Sequence, residues 1–415
     1  LVVGGFSLTT KGTTSHEGIL CVIHRIATMA ALVAGAIAAC SAGYYVLSVW
    51  SAARFLRERK AAEGARPTES IQPVSILKPL KGTDPEMYES FRSHCLQDHP
   101  QYEIIFGVSD SVDPALELVE RLKSEFPKLS IRWMVCTKKL GANTKVSNLA
   151  QMLPEAKYEL ILVSDSDIRV QPDYLRRVTA PLADPKIGMV TCLYRGVPGR
   201  TLGSRLESLG ISTDFCAGVL VARELEGGIH FGLGSTLAFR KFDLESVGGF
   251  EALVDYLADD YEIGRRIAEQ GMKVDLSDVV VETHLPPYTP RQFVDHQLRW
   301  GRTVRDSRRW GYLGLVFTFG IPWALLALVL SLFLNREVPT AWALLVAVTG
   351  LRGAVAVLAG WFVLRDRMAM RLLPLLPLRD SASLLVWIAS LFGHKVVWRG
   401  DSFTLKDGKL ARINS

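Results

Sequence analysis

No two of the six cysteines, Cys21, Cys40, Cys95, Cys136, Cys192 and Cys216, form a C-x-x-C pair in this chain of 415 residues. Such scatter argues against a zinc site and against a disulfide framework, and it fits a domain facing a reducing compartment. The chain also has no G-x-x-x-x-G-K-S/T, and no G-x-G-x-x-G follows its first strand-like run. A phosphate-cradling P-loop and a dinucleotide fingerprint are therefore both unsupported. There is no long basic run and no nucleic-acid motif, although the net charge is +6. That excess belongs beside apolar segments, where Lys and Arg meet a membrane surface, and no nucleic-acid partner is expected.

Apolar residues make up 49% of the chain and the mean hydropathy is +0.19, but they are unevenly placed. Residues 1–26 show no periodicity and no initiator Met, and read as a loose tail or an over-extended start, with Met29 a candidate first residue. The run 27–50 is long enough to cross a bilayer as a helix. Arg54, Arg57, Arg59 and Lys60 follow it in a charged linker, 51–72, so the positive-inside rule puts the next domain in the cytoplasm. Two further spans are expected at 313–334 and 341–364, the second carrying an intramembrane Arg352 that calls for a function or a partner. The basic, aromatic segment 291–312 reads as an interfacial helix, 371–398 as interfacial or re-entrant, and 399–415 as a cytoplasmic tail with hairpin turns at Arg399-Gly400 and Asp407-Gly408. The whole is expected to be a multi-pass integral membrane protein.

Residues 73–290 alternate short apolar runs with amphipathic stretches, the pattern of βαβ units around a mostly parallel sheet. The stretch LILVSDSDIRV, 160–170, matters most. A buried strand stops and delivers Asp165 and Asp167 at the carboxyl edge of the sheet, where open α/β folds bind ligands. Two carboxylates there can hold a divalent cation, although Asp and Ser also favour solvated turns. Asp110, Asp113, Asp259 and Asp260 also fall at strand ends or helix starts, Asp259 in a position that simple capping would explain equally well. Lys145 and Asn148 open a helix whose amino end suits a phosphate. Lys78, Lys81, Gly232, Gly234 and Ser235 are weaker candidates.

The ordered set KPLKG, SDSVDPA, GANTKVSNL, SDSDIRV, LADDY and a final RW resembles the membrane glycosyltransferases of the ceramide glucosyltransferase type, glycosyltransferase family 21. It is closest to the bacterial hopanoid-biosynthesis-associated branch, and the resemblance covers roughly 74–400. It implies a GT-A fold, Rossmann-like with a mostly parallel sheet, and inverting transfer of a hexose from UDP-glucose or UDP-N-acetylglucosamine. The implied acceptor is a membrane lipid hydroxyl, of ceramide or a hopanoid polyol. It implies that Asp110, with Asp113 beside it, sits at the uridine end of the donor site. Asp165 and Asp167 become the D-x-D pair for Mg2+ or Mn2+, and Asp260 the general base, with Asp259 the neighbouring alternative. Arg299 and Trp300 end a signature whose first position is here His296 in place of Gln or Arg, so the phosphate contact at that position is open. A processive polysaccharide synthase, or an inactive membrane-tethered binding protein on the same fold, are the competing readings.

Overall fold

The computed structural model describes residues 11–63, 72–398 and 401–413. Its centre is an eight-stranded mixed sheet: β1 (Val74–Pro79), β2 (Tyr102–Val108), β3 (Ser130–Val135), β4 (Leu160–Val163), β5 (Ile168–Arg169), β6 (Ile187–Val197), β7 (Leu237–Arg240) and β8 (Lys273–His284). The spatial order is β3-β2-β1-β4-β7-β6-β8-β5. β3, β2, β1 and β4 run parallel, and β1, β2 and β4 are buried at every position, as strands covered by helices on both faces must be.

The parallel run ends at β7, which is antiparallel to both β4 and β6. The mostly parallel expectation holds, with β7 and β5 the reversed strands, and the reversal at β7 shapes the site. Leu237 pairs with Val163, so the turn before β7 lies level with the carboxyl end of β4. Leu237 also pairs with Thr191, so the rest of β6 and its parallel partner β8 project beyond that edge. There β8 picks up the short β5, with Ile168 opposite Thr283.

Beyond β6, where the sequence shows no clear period, the chain forms a helix with a fault: Leu202–Gly210, then a wide π-type turn Ile211–Phe215, then Cys216–Leu225. One extra residue per turn breaks the 3.6 repeat that a sequence pattern needs.

Outside the eight-stranded sheet several expectations change. A single helix runs Lys11–Glu63, so part of the expected tail and the first part of the expected linker, 51–63, are helical. Ala34, Ala38, Ser41, Tyr45, Ser48 and Ala52 form a buried stripe along it, at the three- and four-residue spacing of one helix face. The expected span 313–334 is broken at Phe319, and its two parts, Arg309–Thr318 and Gly320–Leu334, meet at 54°. Tyr45 fastens that break: its hydroxyl donates to the Thr318 carbonyl (2.8 Å) and accepts from Gly320 N (3.0 Å). Among the described residues three helices, Ile19–Ala61, Val338–Val363 and Arg367–Ser390, are long and apolar enough to cross a membrane, or four with the bent pair. The last of these takes in 371–390 of the stretch 371–398 read as interfacial or re-entrant. Together they make this a membrane-associated protein.

The helix Pro290–Ser307, opened by a Thr289–Gln292 capping box, turns two of its arginines to protein and not to lipid. Arg305 caps the carbonyls of Ser390 and Gly393, and Arg302 reaches those of Phe392 and Lys395. Finally, 401–412 is no tail. β9 (Lys395–Trp398), β10 (Asp401–Lys406) and β11 (Lys409–Arg412) form an antiparallel sheet, joined at Asp407-Gly408 by a turn with φ of 50° and 76°. Positive φ at both residues is why Asp-Gly serves there. Arg399-Gly400 lies outside the described residues.

Candidate active site

Four elements meet at one edge, and two of them bring carboxylates. β4 ends at Val163 and releases Asp165 and Asp167; the helix Asp259–Glu269 presents Asp259 and Asp260 in its first turn; the helix Thr144–Met152 presents Lys145; and the turn before β7 brings Gly234 between them. Lys145 Nζ lies 2.9 Å from Asp165 Oδ1 and 3.3 Å from Asp259 Oδ2. A Cβ on Gly234 would stand 3.0 Å from Asp260 Oδ2 and 3.6 Å from Asp165 Oδ2. Only glycine leaves that space open. Gly232 N bonds the Asp260 carbonyl, and Gly264 lets the helix press onto the 231–232 backbone, where a Cβ would come within 2.5 Å.

The two aspartates of the LADDY motif differ in their partners. Asp259 is buried and faces Lys145. Asp260 accepts from Tyr261 N through Oδ1 (2.8 Å), while Oδ2 has no hydrogen-bond partner among the described residues. Burial and the Asp259 charge raise the Asp260 carboxyl to about 6, and burial also raises Asp259. Asp167 accepts from Thr283 Oγ1 (2.6 Å) and is likewise raised to about 6, by burial and by Asp165. An excess of negative charge thus collects in little space. Oxygen-only ligands with uncompensated charge suit Mg2+ or Mn2+, which take one or two carboxylates and complete their shell from phosphate and water. Among the described residues no three His, Cys, Asp or Glu side chains form a cage, so any cation here would depend on such non-protein ligands.

Lys78 lies beneath this loop, fully buried. Its Nζ bonds the Asp165 carbonyl (2.9 Å) and Ser164 Oγ (3.2 Å), and burial lowers it to about 7. It holds the loop from below and does not reach the open space. Ser166 Oγ bonds Asp84 (2.5 Å) on the other side of the turn. The turn has a job for nearly every side chain in it, which a solvated Asp-Ser-Asp turn would not.

The remaining candidates separate. Asp110 is exposed just past β2, at the same edge, bonded to Val112 N (3.1 Å). Asp113 is committed: its two oxygens accept from Gly82 N and Ala115 N, both at 2.9 Å, tying the β1 loop to the next helix. Asn148 is buried and accepts from Ser109 Oγ (3.0 Å), which positions the Asp110 loop. Lys81 faces Asp401, 3.4 Å away in the C-terminal sheet.

His296 is stacked on Tyr288 (5.2 Å between centroids) with Nδ1 3.6 Å from Glu207. Trp300 is exposed and meets Phe215 edge-on at 5.9 Å, and Phe215 in turn packs on Tyr194 at 5.1 Å. Tyr194 comes from the projecting part of β6, and burial with the charges of Asp260 and Glu207 drives its phenol well above the usual range. These rings form a wall leading from the carboxylates toward the apolar helices. Arg299 lies close enough to Glu207 to act on its charge.

Glu207, Tyr194 and Thr283 have no role in the sequence reading. Glu207 is 5% exposed, in a helix where 206–210 are all buried. Burial disfavours its charge, yet His296, Arg379 and Arg299 hold it below the ordinary range, and Gln297 donates to it. A single Glu in the otherwise uncharged run 206–211 was the available signal. From Glu207 a chain of charges runs into the apolar helices. Arg379 lies 3.6 Å from Asp214, which pairs with Arg352, and Arg352 also holds Asp380 through Nε (3.0 Å) and a terminal nitrogen (2.9 Å). Arg352 is 1% exposed, so its position is explained by protein partners.

Residues 33–411 match the family described as Glycosyl transferase family 21. Ceramide glucosyltransferase 3 of Caenorhabditis elegans is 28% identical over 232 residues, 56% of this chain and 50% of that protein. Ceramide glucosyltransferase of Komagataella phaffii is 34% identical over 111 residues, 26% of this chain and 22% of that protein. The chain thus spans half or less of the curated relatives it matches. Among solved structures, a mannosyltransferase of Pyrobaculum calidifontis in complex with GDP-Man and Mn2+ aligns with a TM-score of 0.50 at 19% identity, over 88% of this chain and 99% of that one. At that identity the likeness is one of fold, and the fold is GT-A.

Proposed function

The chain belongs to glycosyl transferase family 21, and we propose that it transfers one hexose, glucose or N-acetylglucosamine, from a UDP-sugar to a lipid hydroxyl with inversion. The observation that carries this reading is the division of labour around Gly234. Lys145 and Asp165 are paired on the donor side, while Asp260 keeps one carboxylate oxygen without a partner.

Asp165 and Asp167 would hold Mg2+ or Mn2+, which when bound offsets the charge growing on the leaving diphosphate. Lys145, in the first turn of its helix, adds a cation where the helix dipole also favours phosphate. Arg299 supplies a guanidinium suited to a phosphate oxygen pair, and Trp300 an apolar ring for the sugar or acceptor. Asp110 orients the uridine end. Asp260 takes the acceptor proton as that oxygen attacks opposite the leaving group. A carboxyl raised to about 6 is still ionised at neutral pH and is a stronger base than an ordinary aspartate.

The aromatic wall and the adjoining apolar helices support an acceptor that stays in the bilayer and offers only its hydroxyl. Ceramide and a hopanoid polyol both fit that description. The catalytic domain then lies on the cytoplasmic side of a multi-pass protein, in a bacterial inner membrane. Membranes carrying the chain should label one lipid class when given radiolabelled UDP-glucose or UDP-N-acetylglucosamine, identified by mass spectrometry. Donor binding with no labelled lipid from either sugar would refute lipid transfer.

A further inference from the structure

Across β8 from Asp167 lies a second, half-open space, a cavity of about 430 Å3. Neighbouring strand residues point to opposite faces, so Thr283 serves Asp167 while Glu282 lines this cavity. Five arginines line it, Arg59, Arg169, Arg177, Arg195 and Arg365, against Asp173, Asp278 and Glu282.

The three acids are already engaged. Arg177 binds Asp173 (3.1 Å) and Asp278 (2.5 Å), and Arg195 binds Glu282 (2.5 Å). Positive charge is left over. Arg169 keeps a buried Nε without a hydrogen bond among the described residues, with only the exposed Glu86 within 3.4 Å of its far end. Arg365 is exposed at the rim in a left-handed conformation, φ 54°.

The cavity also has a fixed place relative to the apolar helices. Arg59, near the end of the first of them, donates to the carbonyls of Phe362 and Val363 (3.2 and 3.1 Å). Arg195 donates to those of Leu364 and Arg365 (3.2 and 2.7 Å). Two guanidiniums thus gather the end of the Val338–Val363 helix where it leaves the apolar layer.

We propose that this cavity binds a phosphate anion, and that its source is the headgroup of an anionic phospholipid at the bilayer surface. Guanidinium forks match phosphate oxygens in pairs, and surplus arginine at the level where helices emerge is the arrangement that attracts anionic headgroups. The inference rests on the apolar helices lying in a bilayer and is independent of which sugar or acceptor the other site takes.

The test uses the full chain in nanodiscs of phosphatidylcholine, with or without phosphatidylglycerol, and in detergent with or without inorganic phosphate. Arg169→Gln and Arg365→Asn, singly and together, remove surplus charge, and Asn tolerates the left-handed backbone. Phosphatidylglycerol should raise the thermal midpoint of the parent, and the double variant should lose about tenfold in apparent lipid affinity. Equal midpoints in pure phosphatidylcholine establish that the variants fold; either single variant serves if the double does not. A response to inorganic phosphate that the variants lose, with none to phosphatidylglycerol, keeps the anion site and overturns the lipid source. Equal responses of parent and variants in both arms overturn the site itself.

Discussion

Lys145 Nζ lies 2.9 Å from Asp165 Oδ1, joining the start of one helix to the end of β4 across the mouth of the sheet. It is also the cation facing Asp259. Lys145→Met leaves Asp165 and Asp259 facing each other unpaired. Donor affinity measured by calorimetry should fall by at least about tenfold, the scale of one lost charge-assisted contact. An unchanged Kd would make Lys145 a purely structural tie.

Asp260→Asn should lower turnover by about 10²–10⁴-fold, the range for loss of a general base, while UDP-sugar binding persists. Asp259→Asn should weaken donor binding more than it slows the proton step, because its side chain faces Lys145. Reversal of these two phenotypes would move the base to Asp259.

The pH response follows from the raised Asp260 carboxyl. Ordinary aspartate titrates near 3.8, and this one is raised to about 6. Between those values the folded chain holds the proton and the unfolded chain has released it, so this group's contribution to stability falls as pH rises from about 4 to about 6. The ionised base appears over the same interval. Activity per enzyme should drop about tenfold per pH unit below pH 6 when measured at saturating Mn2+, which keeps the similarly raised Asp167 deprotonated. A rate flat down to pH 4.5 would remove Asp260 from the proton step.

Metal dependence separates the D-x-D pair from its surroundings. UDP-sugar binding by the parent should require Mg2+ or Mn2+, and Asp165→Ala or Asp167→Ala should abolish the metal response. Donor binding equally tight in excess chelator would contradict the assignment.

Arg352→Ala should destabilise the protein by about 3–5 kcal/mol, because it strands buried Asp380 and its neighbour Asp214. Unfolding followed in detergent reads this directly. A loss under about 1 kcal/mol would mean that the pairing carries little net stability.

Much of this was legible in order of locality. β2 and β4 fall where apolar runs of strand length predict them, at 102–108 and 160–163, since a buried parallel strand records its burial in consecutive residues. The helix start at Asp259 was also readable, from acidic residues before an amphipathic repeat. What sequence pattern did not carry was anything depending on a neighbour far along the chain. Asp113 and Asn148 read as donor-side residues, and the pattern did not show that both Asp113 oxygens accept from Gly82 and Ala115 or that Asn148 Oδ1 accepts from Ser109. His296 stood where a signature has Gln or Arg, which left its contact open, and the pattern could not show Glu207 beside it, in a helix that the π-type turn hid. Arg302 and Arg305 read as lipid-facing by composition, although their targets are backbone carbonyls, which leave no composition to read.

The C-terminal sheet has a consequence for when the molecule becomes competent. Leu257 N bonds the Gly408 carbonyl and Leu410 N bonds the Asp255 carbonyl, so β11 and its turn clamp the loop that delivers Asp259 and Asp260. A ribosome makes that loop first and the clamp much later. The nascent chain therefore carries every carboxylate of the site, and several apolar helices, before the loop is fastened. Stalled chains arrested with residues 401–412 still inside the exit tunnel should be inserted and bind poorly, and should gain transfer on release. The cell would then meet a growing enzyme that is silent until synthesis has passed the clamp.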